Sequence, residues 1–202
     1  MLRLNEGKLA VNLARNTIEN QLQKTKESKP QLTQIFTQKS GVFVTLHTHP
    51  QKLLRGCIGI PYPIMPLQQA IIEAALSVIQ DPRFPPLTRE ELTDVVIEIT
   101  LLSPPTRISI NSPQDYMKKI IIGKDGLIAE KGYFKGLLLP QVPIEQGWDV
   151  EEFLNQTCMK AGLPPDSWID RDTKIYQFSG QIFTEMSPKG DIREKKIDGS
   201  NT

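Results

Sequence analysis

The sequence predicts an α+β fold: a mostly antiparallel sheet flanked by helices, in one domain of two unequal lobes. Three observations predict it. Strand-like runs follow one another as hairpins instead of alternating regularly with helices. Helical stripes are few and set apart along the chain. With 202 residues, 39% hydrophobic and 23% charged, the chain is long enough for a sizeable core and has a globular composition. The domain is expected over residues 1–186, with 187–202 as a flexible tail.

Asn5 is placed to cap the first helix, because a short side-chain acceptor satisfies free N–H groups of the first turn. Val11, Ala14, Ile18 and Leu22 then recur at helical spacing. The polar stretch from Lys24 to Pro30 ends that helix, and Gln31 to Gln38 fits either a short helix or a loop. Gly41 to His47 is a strand by its β-branched and aromatic content. A turn at His49 to Lys52 leads into a returning strand, Leu54 to Ile60. Pro61 and Pro63 stop it, and Pro66 is suited to open a helix running from Leu67 to Gln80 with a wide apolar face.

Asp81 to Leu87 is a proline-fixed loop, and Thr88 to Glu91 carries the residues of a capping box. Val95, Ile97, Ile99 and Leu101 alternate with Asp94, Val96, Glu98 and Thr100, which predicts a strand with one fully apolar face. Ser112 to Lys118 suits one or two helical turns. The runs 120–122, 127–129 and 133–139 predict a small meander, with hairpin turns at Gly123 to Gly126 and at Lys131-Gly132. Asp149 and Glu152 cap a helix carrying Phe153, Leu154, Thr157, Cys158 and Ala161, which Gly162 and Pro164 terminate. Ile175 to Met186 is the last expected strand, and the polar, aperiodic stretch from Ser187 reads as a frayed tail.

Charge and cysteine usage narrow the function classes. Lys and Arg number 24 against 23 Asp and Glu, a net charge of +1. That argues against a protein that grips phosphate backbones, so nucleic-acid binding is the weakest reading. Two widely separated cysteines give neither a disulfide scaffold nor a zinc spacing. With no long apolar run and a charged first turn, the expectation is a reduced, cytoplasmic protein without membrane association. Phosphate-loop, dinucleotide and hydrolase-elbow motifs are missing from the sequence, and no cofactor is expected.

The segment Leu54-Arg55-Gly56-Cys57-Ile58-Gly59 stands apart. Two glycines in a short strand mark a bulge, a bend or a close approach by another group. Residues opposite one another in a hairpin share a sheet face. If Leu54, Ile58 and Ile60 line the core with Val42, Val44 and Leu46, the other face carries Arg55, Cys57, Thr45 and His47, with Phe43 nearby and Gly56 turned to the core. Cys57 is therefore the candidate nucleophile, since positive neighbours favour the thiolate. Arg55 is its candidate stabilising or anion-binding neighbour and His47 a weaker candidate base. The opposing reading is that Cys57 packs as a small hydrophobe, as Cys158 does on its helix stripe. Gly56, Gly59, Thr45 and Arg83 complete the candidate binding residues. Arg83, locked among prolines, either binds an anion or holds its loop by bonding carbonyls. Glu98 is either a catalytic acid or, more commonly, a solvated or arginine-paired carboxylate. His47, His49 and Cys57 form too weak a pattern for a metal site, and none is expected.

The chain resembles the AMMECR domain family. The resemblance is carried by Gly41-Val42-Phe43-Val44-Thr45-Leu46, Leu54-Arg55-Gly56-Cys57-Ile58-Gly59, Asp81-Pro82-Arg83-Phe84-Pro85-Pro86-Leu87, Gly126-Leu127-Ile128, Leu139-Pro140-Gln141-Val142 and Gly147-Trp148-Asp149. It implies a single two-lobed α+β domain with the Cys57 motif near a cleft, in a soluble intracellular protein. Relatives sit beside Memo-like and radical S-adenosylmethionine proteins, which implies a shared pathway with an unknown small molecule. His47 and His49 lie outside the family's motif, so a couple between Cys57 and His47 would be peculiar to this chain. Two functions follow: an enzyme, or part of one, using Cys57 on a small anionic substrate, or a ligand-binding or adaptor module working with partner proteins.

Overall fold

The structure is a computed structural model, and it describes residues 1–25 and 31–195. In chain order the elements are α1 (Leu4–Gln23), β1 (Gly41–Thr48), β2 (Leu54–Ile60), α2 (Leu67–Val78), β3 (Val95–Leu102), β4 (Thr106–Arg107), α3 (Tyr116–Lys119), β5 (Asp125–Lys131), β6 (Phe134–Leu138), α4 (Val142–Gln146), α5 (Val150–Lys160), β7 (Lys174–Glu185) and β8 (Ile192–Lys195). The fold is α+β with antiparallel strand pairing, as the hairpin pattern predicts.

The chain divides into two compact units. The first takes Met1–Leu102 and is rejoined by the chain from Gln181. In it β1 lies between β2 and β3, and β8 pairs with the C-terminal part of β7. Helices α1 and α2 pack on each other, and α2 packs on β1 and β2. Their shared core includes Val11, Ala14, Ile18, Val42, Val44, Leu46, Ile71, Ala75, Ile97, Ile99 and Phe183. Below it, Arg15 of α1 forms a two-point ion pair with Glu185 of β7, and its guanidinium donates to the carbonyls of Leu92 and Val95. The second unit takes Ser103–Gly180. There β5 pairs with β6 and with the first part of β7, around a core of Leu127, Phe153, Leu154, Cys158, Trp168 and Ile175.

Several expectations need correction. The first helix starts at Leu4 with Arg3 in the cap position, and the Glu6 carboxylate accepts the Arg3 N–H at 2.8 Å, so Asn5 is inside the helix and is not its cap. Ile120 ends α3 and no strand forms over 120–122; the Asp125 carboxylate accepts the Ile121 N–H at 2.8 Å, closing a turn between α3 and β5. Residues 123–126 therefore do not form a hairpin turn. The strand at 95–102 alternates as expected, yet all eight of its residues are buried. The stretch from Ser187 is not a frayed tail as far as Lys195: β8 pairs with β7, burying Ile192, and the remaining residues 196–202 lie outside those described. Among the described residues no helix is long and apolar enough to cross a membrane.

Candidate functional site

The β1–β2 register sets Cys57 opposite Thr45, Gly59 opposite Phe43 and Gly56 opposite Leu46. Cys57 and Thr45 thus share a face, as the alternation predicts, and Gly56 is on the helix-covered side. A Cβ on Gly56 would come to 3.0 Å from Val78 Cγ2 and 3.2 Å from the Val78 carbonyl oxygen, so α2 approaches β2 at this point. A Cβ on Gly59 would lie 2.3 Å from the Phe43 ring, so the second glycine makes room for that ring on the thiol face. One expectation fails next to Gly56. The register shifts between Leu46 and His47, which brings Leu54 opposite His47 and leaves Arg55 as the extra residue of a bulge. Leu54 is consequently exposed and does not join the core.

The Cys57 backbone is fixed from outside the sheet. Its N–H donates to Asp81 Oδ2 at 2.8 Å, and its carbonyl oxygen accepts from Arg83 Nη2 at 2.9 Å. Asp81 in turn accepts Arg83 Nε at 3.0 Å, Arg83 Nη2 at 2.6 Å and the Arg83 backbone N–H at 3.1 Å. The pair therefore stands where another strand would pair with this edge. Bonds from the Arg83 side chain hold the Asp81 carboxyl well below the usual carboxylate range, against the opposing effect of its burial.

On the thiol face a row crosses three strands: Cys57 of β2, Thr45 of β1 and Glu98 of β3. Thr45 Oγ1 donates to Cys57 Sγ at 3.4 Å. Burial pushes the Cys57 thiol up, opposed by the Thr45 hydroxyl and the Arg83 charge, while the charges of Asp81 and Glu98 push the same way as burial. At neutral pH the resting group is the thiol, which runs against the expectation of a thiolate stabilised in the free protein. Glu98 is 7% exposed and meets Lys195 Nζ at 3.4 Å. Burial pushes His47 down, and Glu98 and Lys195 are the charges that act on it, with opposite signs. The imidazole makes no hydrogen bond to the thiol among the described residues.

Arg55 lies elsewhere. Its Nε and Nη2 grip Glu91 at 2.7 and 3.0 Å, and Nη2 also donates to the Pro85 carbonyl at 2.9 Å. The guanidinium carbons of Arg55 and Arg83 lie 5.9 and 5.7 Å from the Phe84 ring centroid. The structure thus brings Cys57, Thr45, Gly59 and Arg83 together and turns Arg55 to the loop. The cation acting on the thiol is Arg83, not Arg55. Each candidate anion-binding arginine is thus already held by a carboxylate, Arg55 by Glu91 and Arg83 by Asp81. Cys158 is fully buried, and burial pushes its thiol up to about 11.

Sequence reasoning missed Asp81, Glu91 and Lys195. Asp81 carried a usable signal, since an aspartate commonly bonds the backbone N–H two residues on. Lys195 carried none, being in a stretch without periodicity. Of the two readings of Glu98, a catalytic acid or a solvated or arginine-paired carboxylate, the second needs correction: the carboxylate is buried and faces a lysine. Among the described residues no three His, Cys, Asp or Glu side chains are arranged to hold a metal ion.

Comparison with known proteins gives the family. The chain is 54% identical to Protein MJ0810 of Methanocaldococcus jannaschii over 98% of both chains. It is 52% identical to Protein PYRAB00100 of Pyrococcus abyssi, over 95% of this chain and 96% of that one. The crystal structure of uncharacterized protein PH0010 from Pyrococcus horikoshii superposes with a TM-score of 0.87 at 49% identity, covering 96% of this chain and 98% of that one. The AMMECR1 family model matches residues 11–183, and the chain belongs to the AMMECR1 family.

Proposed function

We propose that the face carrying Cys57, Thr45, His47 and Glu98 is a small-molecule site, and that the protein is an enzyme or enzyme component using the Cys57 thiol on its substrate. One observation carries this reading. The only partly exposed thiol of the described chain receives a hydrogen bond from Thr45, while Asp81 and Arg83 fix its backbone on the far edge of the strand. Cys158, by contrast, is fully buried in its core, where it meets a backbone hydrogen bond from Trp168. In the reaction the neutral His47, the candidate base, takes the thiol proton as the sulfur adds to an electrophilic carbonyl carbon of the substrate; the C=O π pair moves onto the oxygen, which takes up that proton from the imidazolium. A site in the cytoplasm, served by Memo-like and radical S-adenosylmethionine proteins as pathway partners, is consistent with this reading.

A second reading is a ligand-binding or adaptor module. It is favoured by the upward push on the Cys57 thiol, which keeps it neutral and poorly nucleophilic at pH 7. A thermal-shift screen of metabolites on the wild type and on Cys57→Ala separates the two. A ligand that raises the melting temperature only with the thiol present supports chemistry at Cys57. A ligand that stabilises both proteins equally supports the binding module.

A further inference from the structure

We propose that the Cys57 face recognises its small molecule through a protonated amine, anchored on Glu98, with Lys195 as the resident cation that the ligand displaces. This inference rests on reading that face as a small-molecule site and names the class of ligand. It begins with charges already satisfied. Arg83 is held by Asp81 at 2.6 and 3.0 Å, and Arg55 by Glu91 at 2.7 and 3.0 Å, each in two-point contact. An anionic ligand would have to compete with a carboxylate already in place at either arginine.

Glu98 differs. Its side chain is 9% exposed, and among the described residues its one hydrogen-bond partner is Lys195 Nζ at 3.4 Å. A well-made bond between an ammonium and a carboxylate is about 2.7–2.9 Å, and an ionised carboxylate has about four acceptor positions. Glu185, also buried, shows what the fold does when it satisfies a carboxylate: it accepts Arg15 Nε, Arg15 Nη2 and the Ile97 N–H. Burying a charge is costly unless it is paired and hydrogen-bonded. Glu98 thus retains acceptor capacity that a donor-rich ligand group fills.

The surroundings fit a cation. Lys195 is on the outermost strand, with its side chain 53% exposed, so withdrawing it to solvent disturbs little. Burial keeps His47 uncharged beside Glu98, and it brings no second cation at neutral pH. Val96 and Thr100 flank Glu98 on the same face of β3 and carry no charge. The row of Glu98, Thr45 and Cys57 then sets the atoms next to the ammonium group toward the thiol.

The test uses the full chain with n-butylammonium chloride as probe, and sodium butyrate and potassium chloride as controls of matched ionic strength. Two readouts are followed: protection of Cys57 from iodoacetamide and the shift in melting temperature. Butylammonium is expected to protect Cys57 and to raise the melting temperature, with neither effect from butyrate. Glu98→Gln should raise the half-protecting concentration about tenfold or more, and Lys195→Met should lower it about tenfold, as for gaining or losing competition for one charged hydrogen bond. The opposite direction expected for Lys195→Met keeps the test decisive if Glu98→Gln folds poorly. Equal effects of butylammonium and butyrate, or an unchanged half-protecting concentration in Lys195→Met, overturn the inference. A melting shift that depends on Glu98 while Cys57 stays inert to alkylation sustains the amine site and removes the thiol chemistry. Fast alkylation with neither protection nor shift does the reverse.

Discussion

Asp81 accepts the Cys57 N–H and three donors of Arg83, and does so almost fully buried. Asp81→Asn keeps the shape but loses the charge on which those bonds depend, and it should lower stability by about 2 kcal/mol, read as a shift in urea midpoint. The sign of its pH dependence follows from the downward shift of its carboxyl. The stability it contributes is fully present above the unfolded carboxyl's value of about 3.9 and is lost as pH falls below that toward the folded value. Wild type and Asp81→Asn should therefore differ most near neutrality and converge in acid; a constant gap down to pH 2 would contradict the assignment. The Thr45 hydroxyl donates to Cys57 Sγ and favours its thiolate, so Thr45→Val pushes the thiol further up. Alkylation of Cys57 at pH 8 should slow about threefold, the low end of a hydrogen bond's net worth.

At the scale of elements, the β1–β2 hairpin carries the site, and its two glycines make separate predictions. Gly56→Ala presses a methyl group against Val78 and should cost about 1–3 kcal/mol, since α2 has to give way. Gly59→Ala meets the Phe43 ring instead, and Phe43→Leu should recover most of its loss in a double-mutant cycle, with no such rescue of Gly56→Ala. Much of this hairpin was legible, because period-two alternation alone placed Cys57 with Thr45 and Gly56 against the core. The bulge at Arg55 was not: one extra residue reverses the faces beyond it, and nothing in a run of Leu-Arg-Gly says which side of the bulge each side chain takes. The burial of Glu98 was equally hidden, since alternation gives a face and not what covers it.

At the scale of the whole molecule, the first unit is completed by a chain that leaves it at Leu102 and returns at Gln181. The return supplies Phe183 and Ile192 to the core, Glu185 to the buried Arg15, and Gln181, whose side chain bonds both backbone groups of Leu2. A fragment of residues 1–102 would strip the buried Arg15 of its two-point contact with Glu185 and leave it only Glu19 at 3.7 Å, a destabilising loss before any apolar contact is counted. It should show no cooperative thermal transition by circular dichroism, and a sharp transition would show that the returning chain is not needed to close this unit. Local periodicity made the class of fold readable, yet this closure was invisible. It joins residues as far apart as Leu2 and Gln181, and the strand that ends it, Ile192–Lys195, has only one buried apolar side chain to announce it. The central claim is that Cys57, unlike Cys158, is a thiol set in a working face. Mass-spectrometric measurement of iodoacetamide labelling at both cysteines of the folded protein, from pH 7 to 10, tests it most directly. Labelling should be faster at Cys57 throughout, rising with pH toward a midpoint above that of an ordinary thiol; equal, slow labelling of both cysteines would show that Cys57 merely packs.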